Sequence, residues 1–239
     1  MDWNWQVIFE SIPVLLDGAV LTTKMVVISG IIGLFFGIIL ALLRMSKSWV
    51  VQVLPFLYIF FFRGTPLLVQ IFLIYYGLGQ FEAVRNSWLW EPVLSQAYWC
   101  AIIAFTMNTS AYLAEIIRGA IQTIPVGELE AADALGMSKW QKLTRITLPR
   151  AFGIVIPAYS NEVIFMLKGS ALASTIALMD IMGETRTVIS KTYTSIEMFF
   201  AAGIVYLLLT WIILFIFRLF EKRMNRYMTY VPPDVTTHT

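Results

Sequence analysis

Five ionisable side chains stand inside long apolar runs of this sequence: Lys24, Arg63, Glu115, Glu162 and Lys168, with Asn108 and Asn161 as polar neighbours. In hydrocarbon such groups are paired, face a water-filled cavity or meet a ligand. Glu115 stands three residues before Arg118, so the two meet on one helical face. An ion pair at the end of the run explains Glu115; a place on a substrate path is the alternative. Glu162 differs, because Ala158, Tyr159, Phe165 and Met166 lie one turn away and none is basic. Its carboxylate needs a partner from another element, another chain or a cationic ligand. The blander reading is a hydrogen bond to Asn108. Tyr159 and Met166 are expected to share its cavity, Met because its thioether adapts to aliphatic stems. Glu162, Asn108, Met166, Tyr159 and Glu115 are the candidate substrate-path residues. Arg63 precedes a Gly64-Thr65-Pro66 break, where its expected role is to fix irregular backbone.

A second set of residues suits mechanical coupling rather than binding. Glu130-Ala131-Ala132, Gly136 and Ile146-x-Leu148-Pro149 lie in a charged stretch between two apolar runs. Pro125 suits a helix start, since its missing N–H would go unpaired there anyway. Glu128 and Glu130 favour the positive end of that helix. Gly136 falls where a left-handed C-terminal cap is needed. Ser138 with Gln141 makes a capping box for a second helix, which Pro149 is expected to end. Ala131, Ala132 and Ala134 keep one face slim, so that a partner protein can approach closely. On residue types alone, a plain helical hairpin covering the inner ends of the spans explains the stretch equally well.

Other chemistries find no residues. One Cys (Cys100) and one His (His238) exclude a disulfide framework and leave a Cys/His metal site without ligands. No phosphate-binding G-x-x-x-x-G-K-[ST] occurs, since Lys168-Gly169-Ser170 has the wrong order. No Ser/His/Asp or Cys/His set exists, so the chain is expected not to be an enzyme. No basic patch interleaved with aromatics points to nucleic acid.

The elements that must carry these residues follow from hydropathy. Of 239 residues, 59% are apolar and 13% charged, and the mean hydropathy is +0.75. Soluble domains rarely carry so little charge. Crossing about 30 Å of hydrocarbon takes about 20 residues. Five runs qualify: 20–43, 54–79, 97–117, 151–179 and 199–217. Each must be helical, because lipid offers the backbone no partner. The fourth is too long for one straight span and is expected to break near Gly169. Residues 1–19 are expected to form a short interfacial helix. Asp2, Glu10 and Asp17 stand where a signal peptide would be basic, so none is expected. Eleven Lys and Arg flank the first, third, fourth and fifth runs on one side, among them Arg44, Arg118, Arg150, Arg218 and Arg226; the other side has Arg85, Arg186 and Lys191. The basic side should be cytoplasmic, with the N-terminus outside and the C-terminus inside. Trp88, Trp90, Tyr98 and Trp99 suit the outer interface. The tail from Tyr227 is polar and Thr-rich. No internal repeat is present, so pseudo-symmetry would need a second, related chain. The chain reads as one transmembrane domain, 1–239, with an inner loop at about 119–150.

The inner loop also matches E-A-A-x3-G-x9-I-x-L-P at every fixed position, and on that pattern the chain resembles the membrane subunits of bacterial ATP-binding-cassette importers. Phe62-Arg63-Gly64-Thr65-Pro66-Leu67-Leu68-Val69-Gln70 is similar to the F-R-G-T-P-L-x-V-Q signature of polar amino acid permeases. Ala111-Tyr112-x-x-Glu115-Ile116-x-Arg118-Gly119 and Ser160-Asn161-Glu162-Val163 resemble further blocks of that family, over roughly residues 15–225. Lys168-Gly169-Ser170-Ala171-Leu172 departs from the family's K-D-[ST]-S-L. The resemblance lies closest to the second membrane subunit of importers for histidine, lysine, arginine and ornithine, or for arginine alone. It implies a type I importer fold in the bacterial inner membrane. It further implies a homologous permease partner, an ATPase dimer that binds ATP and Mg, and a periplasmic solute-binding protein. Glu130, Ala131, Ala132 and Gly136 would then couple to the ATPase. The competing readings are an ion-coupled secondary transporter or channel protomer and, more weakly, a membrane enzyme.

Overall fold

The computed structural model describes residues 3–224. Asp2, Arg226, His238 and the tail from Tyr227 lie outside the described residues. Within them the chain is all helical. Four helices are long and apolar enough to cross a membrane, and a fifth crossing arises if one sharply bent pair counts as a single span.

Helix α1 (Trp5–Arg44) runs unbroken for 40 residues, with Asn4 capping it through the Val7 N–H. The separate interfacial helix expected at residues 1–19 is therefore absent from the described part: from Trp5 on, that segment is the N-terminal part of α1. At 1.5 Å per residue α1 is about 60 Å long, twice the hydrocarbon thickness, so its first turns project beyond it. Its C-terminal half packs on α5 (Ala97–Gln122) through a seam of small residues, Ser29, Gly33, Gly37 and Ala41, four apart. A Cβ at Gly33 would sit 3.1 Å from Thr109, and one at Gly37 would sit 2.8 Å from Leu113. Without a hydrophobic drive between helices in lipid, such close backbone approach supplies the packing.

The expected second span, 54–79, is two helices at 110°. Helix α2 (Trp49–Gly64) stops at Thr65, held extended at φ −113°, ψ 146°. Helix α3 (Leu67–Phe72) restarts after Pro66 and continues through wider and tighter turns to Gln80. Pro66 causes the break: it lacks an N–H and pushes the residue before it out of the helical region. A short helix, α4 (Glu82–Arg85), follows before α5.

Helix α5 is the axis of the molecule, with 67% of its most apolar stretch buried, against 11% for the last helix. Phe105 and Ala104 of α5 meet Met25 and Val26 of α1, Ile71 of α3, and Met166 and Leu167 of the fourth crossing in one core. Two short helices follow α5, namely α6 (Val126–Ala134) and α7 (Lys139–Lys142). Then comes α8 (Leu148–Gly169), which tightens at Gly169 into a 3-10 segment, Ser170–Ile176. The break expected near Gly169 is not there: the helix tightens where the small residues begin but continues as one element to Ile176. Helix α9 (Ile181–Thr192) lies between the fourth and fifth crossings and is capped by Asp180. Helix α10 (Ser195–Met224) closes the bundle.

Candidate functional site

A cavity of about 310 Å³ opens between α3, α5 and α8, lined by Leu67, Phe105, Asn108, Thr109, Tyr112, Glu162, Phe165 and Met166. Three candidate residues meet there: Glu162, Asn108 and Met166. Glu162 is 8% exposed, and its carboxylate takes no hydrogen bond or ion pair from the described residues. The side chain borders the cavity, where a partner can reach it. Met166 is held in place by the Thr109 hydroxyl, which donates to its Sδ at 3.4 Å. Tyr112 carries the Arg63 guanidinium over its ring, 5.3 Å from the centroid. The walls thus present an acid, an aromatic face with a cation on it, and apolar surface.

Asn108 does not bond Glu162. Its side-chain N–H groups donate to Gln70 Oε1 at 3.0 Å and to the Phe62 carbonyl at 3.3 Å. Gln70, only 1% exposed, in turn donates to the Phe62 carbonyl at 2.8 Å, the Thr65 carbonyl at 3.0 Å and Thr65 Oγ1 at 2.9 Å. Gln70 and Asn108 therefore hold the Gly64–Pro66 break. That role was expected of Arg63, which instead projects to Tyr112. An amide four residues after Pro66 inside an apolar run was the available signal: it supplies the donors and acceptor that a broken helix lacks.

Tyr159 is not in this cavity. It lines a separate apolar space of about 280 Å³ between α1, α8 and α10, with its ring edge-on to Phe217 at 5.6 Å. Seven residues separate Tyr159 from Met166, but the direction of each ring or chain also depends on neighbouring helices, which spacing does not report. Glu115 is also outside the cavity. It sits toward the C-terminal end of α5 and takes three hydrogen bonds from Arg118, at 3.1, 3.0 and 2.6 Å. Arg44, 71 positions earlier and not anticipated as a partner, approaches it to 3.9 Å.

The inner loop forms the expected helix pair, with corrections. Gly136 has φ +73°, and the Met137 N–H reaches back to the Ala132 carbonyl at 3.0 Å. The Ser138–Gln141 capping box is complete. Pro149, however, does not end the second helix. A wide turn, Leu143–Thr147, carries α7 straight into α8, and Pro149 occupies the first turn of α8. The Leu148 N–H reaches Leu143, five residues back, so the chain has already left α-helical pairing where Pro149 would have failed to donate. Ion pairs brace the loop: Lys142 with Asp133, and Arg150 bidentate with Glu128. The slim face is not as expected either. Ala132 is 1% exposed and packs inward, whereas Glu130, Ala131 and Ala134 face out. Around them Val126, Leu135 and Trp140 are 67%, 81% and 71% exposed. Large apolar groups so exposed beside charges mark an interaction surface.

The fold is that of a multi-pass membrane permease, with exposed apolar side chains on the loop between its third and fourth crossings. The chain belongs to the family of binding-protein-dependent transport system inner membrane components, whose model matches residues 33–226. It is 44% identical to the octopine transport system permease protein OccM of Rhizobium radiobacter, over 95% of this chain and 94% of that one. It is 40% identical to the arginine ABC transporter permease protein ArtM of Haemophilus influenzae, over 90% and 94%. It is 36% identical to the histidine/lysine/arginine/ornithine transport system permease protein HisM of Escherichia coli, over 92% and 91%. A crystal structure of an amino acid ABC transporter with histidines superposes with a TM-score of 0.82 at 33% identity, covering 93% of this chain and all of that one. The MetNI methionine transporter in an inward-facing form shares the fold, with a TM-score of 0.67 at 16% identity over 88% of this chain.

Proposed function

We propose that this chain is a permease subunit of an ATP-driven importer whose cargo is a basic amino acid. The observation that carries the cargo is Glu162, a buried carboxylate without a partner from the described residues, opening on a cavity of amino-acid size. A cationic side chain supplies the charge that such a carboxylate lacks. Arg63 over Tyr112 on the same wall offers a cation to the cargo's carboxylate. The relatives named for arginine, or for histidine, lysine, arginine and ornithine, agree with a cationic cargo.

In this reading residues 1–239 form one permease domain. The N-terminus is outside, and the loop at about 119–150 is cytoplasmic, as the Lys and Arg distribution requires. A homologous permease chain completes the path, and a periplasmic solute-binding protein delivers the cargo at the outer face. ATP and Mg are held by a separate ATPase dimer. Glu130 and Ala131 meet that ATPase directly; Ala132 and Gly136 keep the α6 turn in shape beneath them. Closure of the ATPase carries α6 with it and shifts the permease between inward- and outward-open populations.

Arginine uptake into proteoliposomes holding the assembled complex tests this. Uptake should require binding protein outside and ATP inside. Uptake driven by an ion gradient without the ATPase chains would overturn the reading in favour of a secondary transporter.

A further inference from the structure

Glu115 stands between two guanidinium groups and satisfies only one. It lies on α5 two turns before Gln122, where the chain enters the coupling loop. Arg118 holds both its oxygens. On its other side is Arg44, the last residue of α1, with Nε 3.9 Å from Glu115 Oε1. That is too long for a hydrogen bond. Arg44 Nε is buried and has no hydrogen-bond partner among the described residues. The rest of Arg44 is loosely held: Nη1 donates to Gln52 at 3.4 Å, and the guanidinium lies 5.0 Å from the Phe56 ring centroid.

A buried cationic N–H without an acceptor is unfavourable. An approach of α5 to α1 by about 1 Å would bring the 3.9 Å separation into hydrogen-bond range and draw Glu115 from Arg118. Glu115 Oε1 would then exchange its 3.1 Å bond from Arg118 Nε for one from Arg44 Nε while Arg118 keeps its bonds to Oε2, so the two arrangements differ by one charge-assisted bond replaced with another. Such a pair differs little in free energy, so a modest bias selects one. Each donor also reports on a different element. Arg118 leads into α6, and Arg44 precedes the α1–α2 turn and, beyond it, the Gly64–Pro66 break beside the cavity.

We propose that Glu115 is a positioning residue that exchanges between Arg118 and Arg44 as the inner loop moves, and so passes loop displacement to the α1–α2 pair. It touches no cargo, since it is outside the cavity. The inference rests on the reading of this chain as an ATP-driven permease. A static ion-pair cluster is the competing account, and the two differ in sign. In a static cluster, removing either arginine loosens the same contact. In an exchange, removing Arg118 favours one state and removing Arg44 favours the other.

The test uses Arg118→Met and Arg44→Met, which keep an apolar stem, in the full importer assembled in lipid nanodiscs. Basal ATP hydrolysis should change in opposite directions, threefold or more each, and Glu115→Gln should erase that difference. Changes in the same direction, or none, overturn the exchange. A second readout needs only the permease chain. Spin labels on Lys47→Cys and Gln122→Cys, with Cys100→Ser, report the distance between the α1–α2 turn and the end of α5. Arg118→Met should shorten it and Arg44→Met should not. Identical distance distributions overturn the exchange even for a variant that no longer assembles. A wild-type complex that assembles but hydrolyses no ATP refutes the ATP-driven reading instead, and the label distances still decide the exchange.

Discussion

Replacing Gln70 by Leu should unfasten the bend between α2 and α3 and, with it, one wall of the cavity. Leu nearly conserves the volume of a side chain that is 1% exposed, so packing changes little and the lost hydrogen bonds dominate. Two N–H donors lose their acceptors, one the Phe62 carbonyl and the other the Thr65 carbonyl and Oγ1 that share it, and one bond accepted from Asn108 disappears as well. In a membrane protein each side-chain bond is worth about 0.6 kcal/mol on average, and in a soluble one about 1 kcal/mol. Three such bonds give about 2–3 kcal/mol. The Phe62 carbonyl keeps a weaker bond from Asn108 at 3.3 Å, which places the expectation toward the lower figure. Equilibrium unfolding in mixed micelles measures the loss. Arginine uptake by the assembled importer measures the consequence, because Leu67, three residues before Gln70, lines the cavity. A Gln70→Leu/Asn108→Leu pair should cost less than the sum of the single variants, since both amides share one bond. A change under about 0.5 kcal/mol with normal uptake, or strictly additive losses, would refute the reasoning that this amide pair holds the break.

Glu162→Gln should lower arginine uptake by roughly 5- to 150-fold, the equivalent of about 1–3 kcal/mol for a hydrogen bond to a charged group, and spare any neutral cargo; equal loss for all cargoes in competition uptake would assign Glu162 to helix packing. Ala131→Trp should leave the permease folded yet reduce ATPase co-purification at least tenfold, because that position is exposed. Ala132→Trp should instead destabilise the chain itself by about 1–3 kcal/mol through overpacking, visible as a lower melting temperature without any partner; the reverse pattern would contradict the observed burial. Burial pushes the Asp180 carboxyl up to about 6, against the opposing hydrogen bond from the Gly183 N–H. That is above the value of about 3.9 in an unfolded chain. The folded state therefore binds this proton more tightly, and its contribution to stability should grow as pH falls from above 6 toward 4. Asp180→Asn, which keeps an oxygen for the cap, should flatten that part of the stability–pH curve; an unchanged curve would mean that Asp180 ionises as in water.

What hydropathy and turn chemistry make legible is local, and the structure divides along that line. Gly136 and the Ser138–Gln141 box each depend on a residue and its immediate neighbours, and each stands where its chemistry put it; at Gly169 the small residues tighten the helix but do not break it. The bend at Pro66 was visible in the same way, but its angle was not. Pro66 dictates that the helix stops; the direction of the next helix depends on Asn108, 42 positions away, which has no signal in the run that it steadies. The substrate-path residues show the same limit from the other side. Glu162 was identified because it lacked a basic neighbour one turn away, and none of the described residues forms a hydrogen bond or ion pair with it. Tyr159 and Glu115 were placed with it by helical proximity or by charge alone, and long-range contacts took both elsewhere: Phe217 of α10 draws one, and Arg118 with Arg44 draws the other. Ala132 makes the point most sharply. Its small size was read as room for a partner protein, but a small residue on a short helix is equally room for the chain's own body, and only the packing of α6 decides which. The outward surface is built instead from residues whose size is conspicuous, Leu135 and Trp140. In a loop flanked by apolar spans, those exposed side chains are what a docking partner has to cover.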